Sequence, residues 1–200
     1  MTHPTPLRLF LCDFDGTLVD TRRANTLAYV ATLREAGIAL TEAQYERDFF
    51  GMRCNEFLTR MGIADPAERE RLRLRKIALY PSFFDTVRLN EPLWHFCQQF
   101  RRQGGRVWIV STGSRANIEN AMRYLGIGGP DGEAPNGRVD GILAGTDSPV
   151  SKPAPDCFLE AMRRENCTPE ECLIFEDSAI GIEAARRSGA AWFRVTPDAF

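Results

Sequence analysis

The sequence predicts an α/β fold: a Rossmann-like, doubly wound parallel sheet with an all-helical insert after its first strand. Three observations lead there. Short, nearly continuous apolar runs recur along the chain, as buried parallel strands do when helices cover both faces. Segments of helical spacing alternate with those runs. Residues 20–86 break the alternation, carrying helical patterns and no convincing strand. The expected division is therefore a core of 1–19 and 87–200 with an inserted helical domain of 20–86.

The first run, Leu7–Cys12, reads as the opening strand, and Asp13 and Asp15 follow it directly. Within the insert, Ala24, Leu27, Ala28 and Ala31 form a helical stripe that Asp20 or Thr21 could cap. Glu42–Phe50, Asn55–Met61 and Pro66–Tyr80 read as further helices. The core resumes with a helix over Pro92–Gln103, whose stripe is Leu93, Phe96, Cys97 and Phe100. The strand Arg106–Ser111 comes next, then a helix over Ala116–Leu125 with Ile118, Ala121, Met122 and Leu125 on one side. Gly126–Gly141 is rich in turn formers and reads as a surface connection. Strands follow at Ile142–Ala144, Cys172–Phe175 and Ala191–Val195, with a helix over Ala179–Ser188 that Gly189 stops.

Composition narrows the function. A hydrophobic content of 44% and a charged content of 26% describe an ordinary globular chain. The net charge of −2, with no basic half, argues against a nucleic-acid surface. No apolar segment approaches a membrane span and the N-terminal apolar run is too short for a signal peptide, so a cytoplasmic protein is expected. The six cysteines form no CxxC pair and have no His at metal-ligand spacing, which points to reduced thiols.

Ligands of doubly wound sheets bind at the carboxyl ends of the strands. Asp13 and Asp15 fall there, as do Thr112, the pair Glu176 and Asp177, and, through the loop TDSPVSKP, Lys152. Carboxylates gathered at one edge repel one another unless a cation joins them, and an all-oxygen set suits Mg²⁺. In that setting Asp13 can serve as a nucleophile and Asp15 as general acid and then base. Lys152 and Thr112 would hold oxygens of a phosphoryl group, and Gly16 suits the tight turn. The chemistry expected is phosphate-ester hydrolysis through an aspartyl-phosphate.

The chain resembles the haloacid dehalogenase superfamily along its whole length, in four motifs met in order. They are Asp13, Asp15 and Thr17 in DFDGT, Thr112 in VSTGS, Lys152 in SKPAPD, and Glu176 with Asp177 in FEDSAIGIEAA. The resemblance implies Asp13 as nucleophile and Asp15 as acid/base. It implies Mg²⁺ held by the Asp13 carboxylate, the Asp15 main-chain carbonyl and Asp177, with Glu176 a direct or water-mediated ligand. It prefers Thr112 to Ser111 as the phosphoryl-binding hydroxyl, with Gly113 and Ser114 beside it as substrate-binding residues. The insert looks like the helical C1 cap of the β-phosphoglucomutase-like and sugar-phosphate phosphatase members.

In that cap, Gly51 and Arg53 of FFGMRC fall where the family places a substrate-facing loop, and Lys76 is a further candidate substrate contact. Arg22 and Arg23 are weaker ones, and the run RERLRLRK reads as a solvated helix face. Asp20 is expected to cap a helix at the entry to the insert, Ser178 to cap the last core helix, and Thr17 to be structural. His95, Trp94, Trp108 and Trp192 are expected in the core, and His3 in a terminal arm. β-Phosphoglucomutases are similar but carry a His where this chain has Asn25, which favours hydrolysis over phosphosugar mutation. The expected partner is a small phosphorylated metabolite, a sugar phosphate or phosphoglycolate. Neither nucleic acid nor membrane is expected, and a monomer is favoured.

Overall fold

A computed structural model of the chain describes residues 6–129, 137–148, 150–196, 198 and 200. His3 and part of the Gly126–Gly141 connection lie outside them. The chain divides into two compact units, one running to Asp20 and resuming at Leu89, the other spanning Thr21–Arg88.

The first unit is built on β1 (Leu9–Cys12), whose four residues are all buried. The pleat sends Leu9 and Leu11 to one face and Phe10 and Cys12 to the other, so an unbroken apolar run is what a strand covered on both sides requires. Two short strands come next in the chain, β2 (Val19–Asp20) and β3 (Arg88–Leu89), which pair as a ribbon of their own. Helix α5 (Glu91–Arg102), strand β4 (Arg106–Val110), helix α6 (Arg115–Tyr124) and strand β5 (Gly141–Leu143) follow. The unit ends with helix α7 (Asp156–Arg164), strand β6 (Cys172–Glu176), helix α8 (Ala179–Ser188) and strand β7 (Ala191–Arg194).

The five long strands pair in the order β5-β4-β1-β6-β7, and every pairing is parallel. From β1 the chain winds outward through β4 and β5, then returns to the other side of β1 as β6. The switch in winding thus falls at the carboxyl end of β1, where such sheets open a crevice. One face packs Leu9, Leu11, Val110 and Ile174 against Phe158, Ala161 and Met162 of α7 and Ala184 and Ala185 of α8. On the other face Phe10 stacks on Phe100 of α5, with ring centroids 3.7 Å apart.

The second unit is helical: α1 (Arg22–Glu35), α2 (Glu42–Asp48), α3 (Cys54–Arg60), α4 (Pro66–Leu79) and a 3-10 segment over Tyr80–Thr86. Tyr29, Leu33, Leu40, Tyr45, Phe57, Leu58 and Leu72 form its core.

Four expectations are corrected. Asp20 does not cap a helix: it closes β2, and Thr21 occupies the N-cap position of α1 without a side-chain capping bond. Instead Asn25 Nδ2 donates to Thr21 Oγ1 at 3.1 Å. His95 is exposed, because the buried side of α5 is Leu93, Trp94, Cys97 and Gln98. Trp192 is 42% exposed, because among the described residues β7 is an edge strand of the sheet. The α1 stripe is shifted: Ala24 and Ala28 are buried with Tyr29, Thr32 and Leu33, while Leu27 and Ala31 are half-buried.

Candidate active site

The site begins where β1 stops. Asp13 N–H still donates to the Phe175 carbonyl at 3.0 Å, so the ladder to β6 holds the Asp13 backbone in place. The chain then turns tightly, the Phe14 carbonyl accepting from Val19 N at 2.9 Å and the Val19 carbonyl from Gly16 N at 2.8 Å. Gly16 adopts φ +91°, and a Cβ added there would lie 2.5 Å from Asp177 Oδ2. Both facts demand glycine, since L side chains are strained at positive φ and the carboxylate occupies the space.

Lys152 is the hub. Its Nζ donates to Asp13 Oδ1 at 2.7 Å, Glu176 Oε1 at 2.7 Å and the Val110 carbonyl at 3.0 Å. An ammonium has three donors, and these contacts use all of them. The Lys152 side chain is 2% exposed, so the ion pairs sit away from water.

Glu176 is satisfied on its other oxygen: Oε2 accepts from Ser178 N at 2.9 Å and Ser178 Oγ at 3.0 Å. Ser178 in turn caps α8, its Oγ accepting from Gly181 N at 3.1 Å. Gly181 carries no Cβ because the Glu176 carboxylate fills the place one would take. Asp177 is held by Thr17, whose hydroxyl donates to Oδ1 at 2.9 Å.

The electrostatics call for a cation. Asp13, Glu176 and Asp177 each offer a carboxylate oxygen, all within 4.8 Å of one another. Three carboxylates face one ammonium in a buried setting, which leaves an excess of negative charge. Burial pushes the Asp13 carboxyl well above its ordinary range; Lys152 opposes the shift, while Glu176 and Asp177 add to it. Burial and Glu176 likewise raise Asp177. Burial alone would lower Lys152, but Asp13 and Glu176 outweigh it and the lysine stays charged. A hard divalent cation between the carboxylates would reverse the upward shifts, and an all-oxygen donor set fits one.

At the end of β4 the hydroxyl that reaches the cluster is that of Ser111, donating to Asp15 Oδ2 at 3.3 Å. Thr112 is half-buried one residue further on. Gly113 donates its N–H to Ser111 Oγ at 3.0 Å, and Ser114 caps α6 by accepting from Asn117 N at 3.4 Å.

The structure thus gathers Asp13, Asp15, Lys152, Glu176 and Asp177 within the first unit. The cap candidates belong to the second. Gly51 is exposed at φ +85°, and Arg53 holds the N-cap position of α3. Lys76 is buried, donating to Asn25 Oδ1 at 2.6 Å and lying 4.0 Å from the centroid of the Tyr80 ring. Arg22 stacks over Phe50, and Arg23 pairs with Glu42. Sequence reasoning missed the contact of Ser111 with Asp15 and the role of Gly181. A Gly three residues after Ser178 in a capping position was the available signal for the second.

Comparison with known proteins places these features in context. A family model described as a haloacid dehalogenase-like hydrolase matches residues 7–189. The fructose-1-phosphate phosphatase YqaB of Escherichia coli is 28% identical over 193 residues, covering 88% of this chain and 90% of that protein. The validoxylamine A 7'-phosphate phosphatase of Streptomyces hygroscopicus subsp. limoneus is 26% identical, covering 91% and 82%. Among solved structures, CbbY from Rhodobacter sphaeroides in complex with phosphate superposes with a TM-score of 0.82 at 22% identity, covering 96% of this chain and 88% of that one.

Proposed function

The chain belongs to the haloacid dehalogenase-like hydrolase family, and from that premise we propose that it is a Mg²⁺-dependent phosphomonoester hydrolase working through an aspartyl-phosphate on Asp13. The observation that carries the reading is the buried Lys152 ammonium joining Asp13 to Glu176 beside Asp177. An arrangement that concentrates negative charge around one lysine is suited to a cation and to the oxygens of a phosphoryl group.

The residues then have distinct tasks. Lys152 fixes the Asp13 carboxylate and supplies positive charge to an incoming phosphoryl oxygen. An Asp13 carboxylate oxygen attacks phosphorus in line as the P–O bond to the leaving group breaks. Asp15, as a carboxylic acid, gives its proton to the departing oxygen and becomes a carboxylate. That carboxylate then takes a proton from the water that hydrolyses the acyl phosphate, returning both aspartates to their starting states. Asp13, Asp177, the Asp15 main-chain carbonyl and, directly or through water, Glu176 would hold the metal. When bound, it supplies charge neutralisation for the transferring phosphoryl group. The Thr112 hydroxyl, with Gly113 and Ser114, would meet the phosphoryl oxygens.

The substrate class we favour is a sugar phosphate, because one relative spanning most of this chain is named a fructose-1-phosphate phosphatase and another, of Thermotoga maritima, a phosphorylated carbohydrates phosphatase. Hydrolysis is preferred to phosphosugar mutation because the Asn25 amide cannot relay a proton at neutral pH as a His would. Gly51, Arg53 and Lys76 are proposed as contacts for the substrate's organic part.

The test is phosphate release from a panel of sugar phosphates and phosphoglycolate, with and without Mg²⁺, and with Asp13→Asn alongside. Asp13→Asn is expected to be inactive and the wild type to depend on the metal. Turnover near wild type in the variant would sink the mechanism.

A further inference from the structure

Two adjacent hydroxyls, Ser111 and Thr112, follow β4, and only one was needed to hold a phosphoryl oxygen. Ser111 has a different environment. It is 5% exposed, and its N–H donates to the Leu143 carbonyl at 2.9 Å, which prolongs the β4–β5 ladder by one residue. Its hydroxyl oxygen accepts from Gly113 N at 3.0 Å. With that acceptance made, the single hydroxyl proton is directed to Asp15 Oδ2, 3.3 Å away. Gly113 completes the arrangement, since a Cβ there would stand 2.9 Å from Asp15 Oδ2 and 3.2 Å from Ser111 Oγ. The turn Ser111-Thr112-Gly113 is therefore shaped around one oxygen of Asp15.

We propose that Ser111 is a positioning residue for Asp15: its hydroxyl, donating to Oδ2, orients the carboxyl group that delivers the proton. This rests on the reading of Asp15 as general acid. The step itself is the one already given: the carboxylic O–H of Asp15 breaks as a proton passes to the leaving oxygen, and the carboxylate formed is stabilised by the Ser111 hydroxyl. The 3.3 Å separation is long for an O–H···O bond, and such bonds in a resting site tighten as the reaction proceeds.

The consequence is selective. A leaving alkoxide needs a proton at the moment the P–O bond breaks, whereas a nitrophenolate does not. Because kcat/KM reports the steps up to departure of the leaving group, the experiment compares kcat/KM of Ser111→Ala and wild type on a sugar phosphate and on p-nitrophenyl phosphate. The loss on the sugar phosphate is expected to exceed the loss on the aryl ester by about tenfold, a fraction of what a general acid supplies. Ser111→Thr, which keeps the hydroxyl, should restore the wild-type ratio, and it serves as the working variant if Ser111→Ala fails to fold. Equal losses on both esters in Ser111→Ala, or a Ser111→Thr ratio shifted by that same factor, would overturn the proposal. Its failure is separable from that of the mechanism: an inactive Asp13→Asn with equal losses in Ser111→Ala defeats only the role of Ser111, whereas an active Asp13→Asn defeats both.

Discussion

The two units of this chain differ in what they bury. In the first, charge lies inside: Lys152, Asp13 and Glu176 are all buried, and the lysine pairs with both carboxylates. In the second, the inside is aromatic, with Phe57 packed edge-on to Tyr29 at 4.9 Å and beside Tyr45 and Phe49. Its ion pairs, such as Glu68–Arg71, Glu56–Arg60 and Glu35–Arg75, lie on the surface. Its buried cation, Lys76, donates to the Asn25 amide oxygen and lies over the Tyr80 ring. Buried charges are costly and are kept only where charged or polar partners compensate them. A region that gathers several buried charges in one place is organised around chemistry, while a region whose core is mainly aromatic is organised around packing.

The largest expected effect breaks the first unit's network at its hub. Lys152→Ala leaves Asp13 and Glu176 buried without their ammonium. Removing one partner of a buried pair costs about 3–5 kcal/mol, so the urea midpoint should fall by that equivalent and phosphatase activity should disappear. A variant as stable as wild type would show that the buried charges are solvated in some other way, and that the contrast between the units is overstated.

The second unit has its counterpart in Phe57→Ala. The ring is 1% exposed and touches three other aromatics, so its removal opens a cavity among groups that cannot all collapse into it. The expected loss is about 3–5 kcal/mol, with Phe57→Leu recovering most of it, read from denaturant unfolding followed by far-UV circular dichroism. Full tolerance of Ala would mean the aromatic cluster is not what holds the helices together.

The same contrast governs what the sequence reveals. Asp13, Asp15, Lys152, Glu176 and Asp177 are legible because each follows an apolar strand or its loop. An unbroken apolar run that stops at a carboxylate marks a buried strand delivering charge to the edge of its sheet. The orientation of Ser111 is not legible. Two hydroxyls stand side by side, and only the register, with Cys12 beside Ile109, decides which of them arrives at the turn that carries Asp15. Trp192 was misplaced for a related reason: an apolar run says that a strand forms, not whether a neighbour covers it. The short strands β2 and β3 have two residues each, too few for any periodicity to show. In the second unit helix positions were readable from spacing, but which face is buried depended on how α1 rotates against its neighbours, and this moved the stripe toward Tyr29 and Leu33.

The smallest expected effect tests whether the surface charges of the second unit matter at all. Glu68 and Arg71 form a two-pronged pair on α4, at 2.6 and 2.8 Å, the arginine exposed and the glutamate half-buried. The Arg71 guanidinium holds the Glu68 carboxyl below its usual range. It does not follow that it stabilises the fold, because water solvates both groups in the unfolded chain nearly as well, and fixing two long side chains costs entropy. Arg71→Ala also places the best helix former in the middle of a helix, which offsets part of whatever is lost. Thermal unfolding should therefore shift by no more than about 1 °C, and raising the salt concentration should change wild type and variant alike. A larger fall, abolished by salt, would make the row Glu68, Glu70, Arg71 and Arg73 a cooperative network. The second unit would then be held from outside by charge as well as from inside by its aromatic rings.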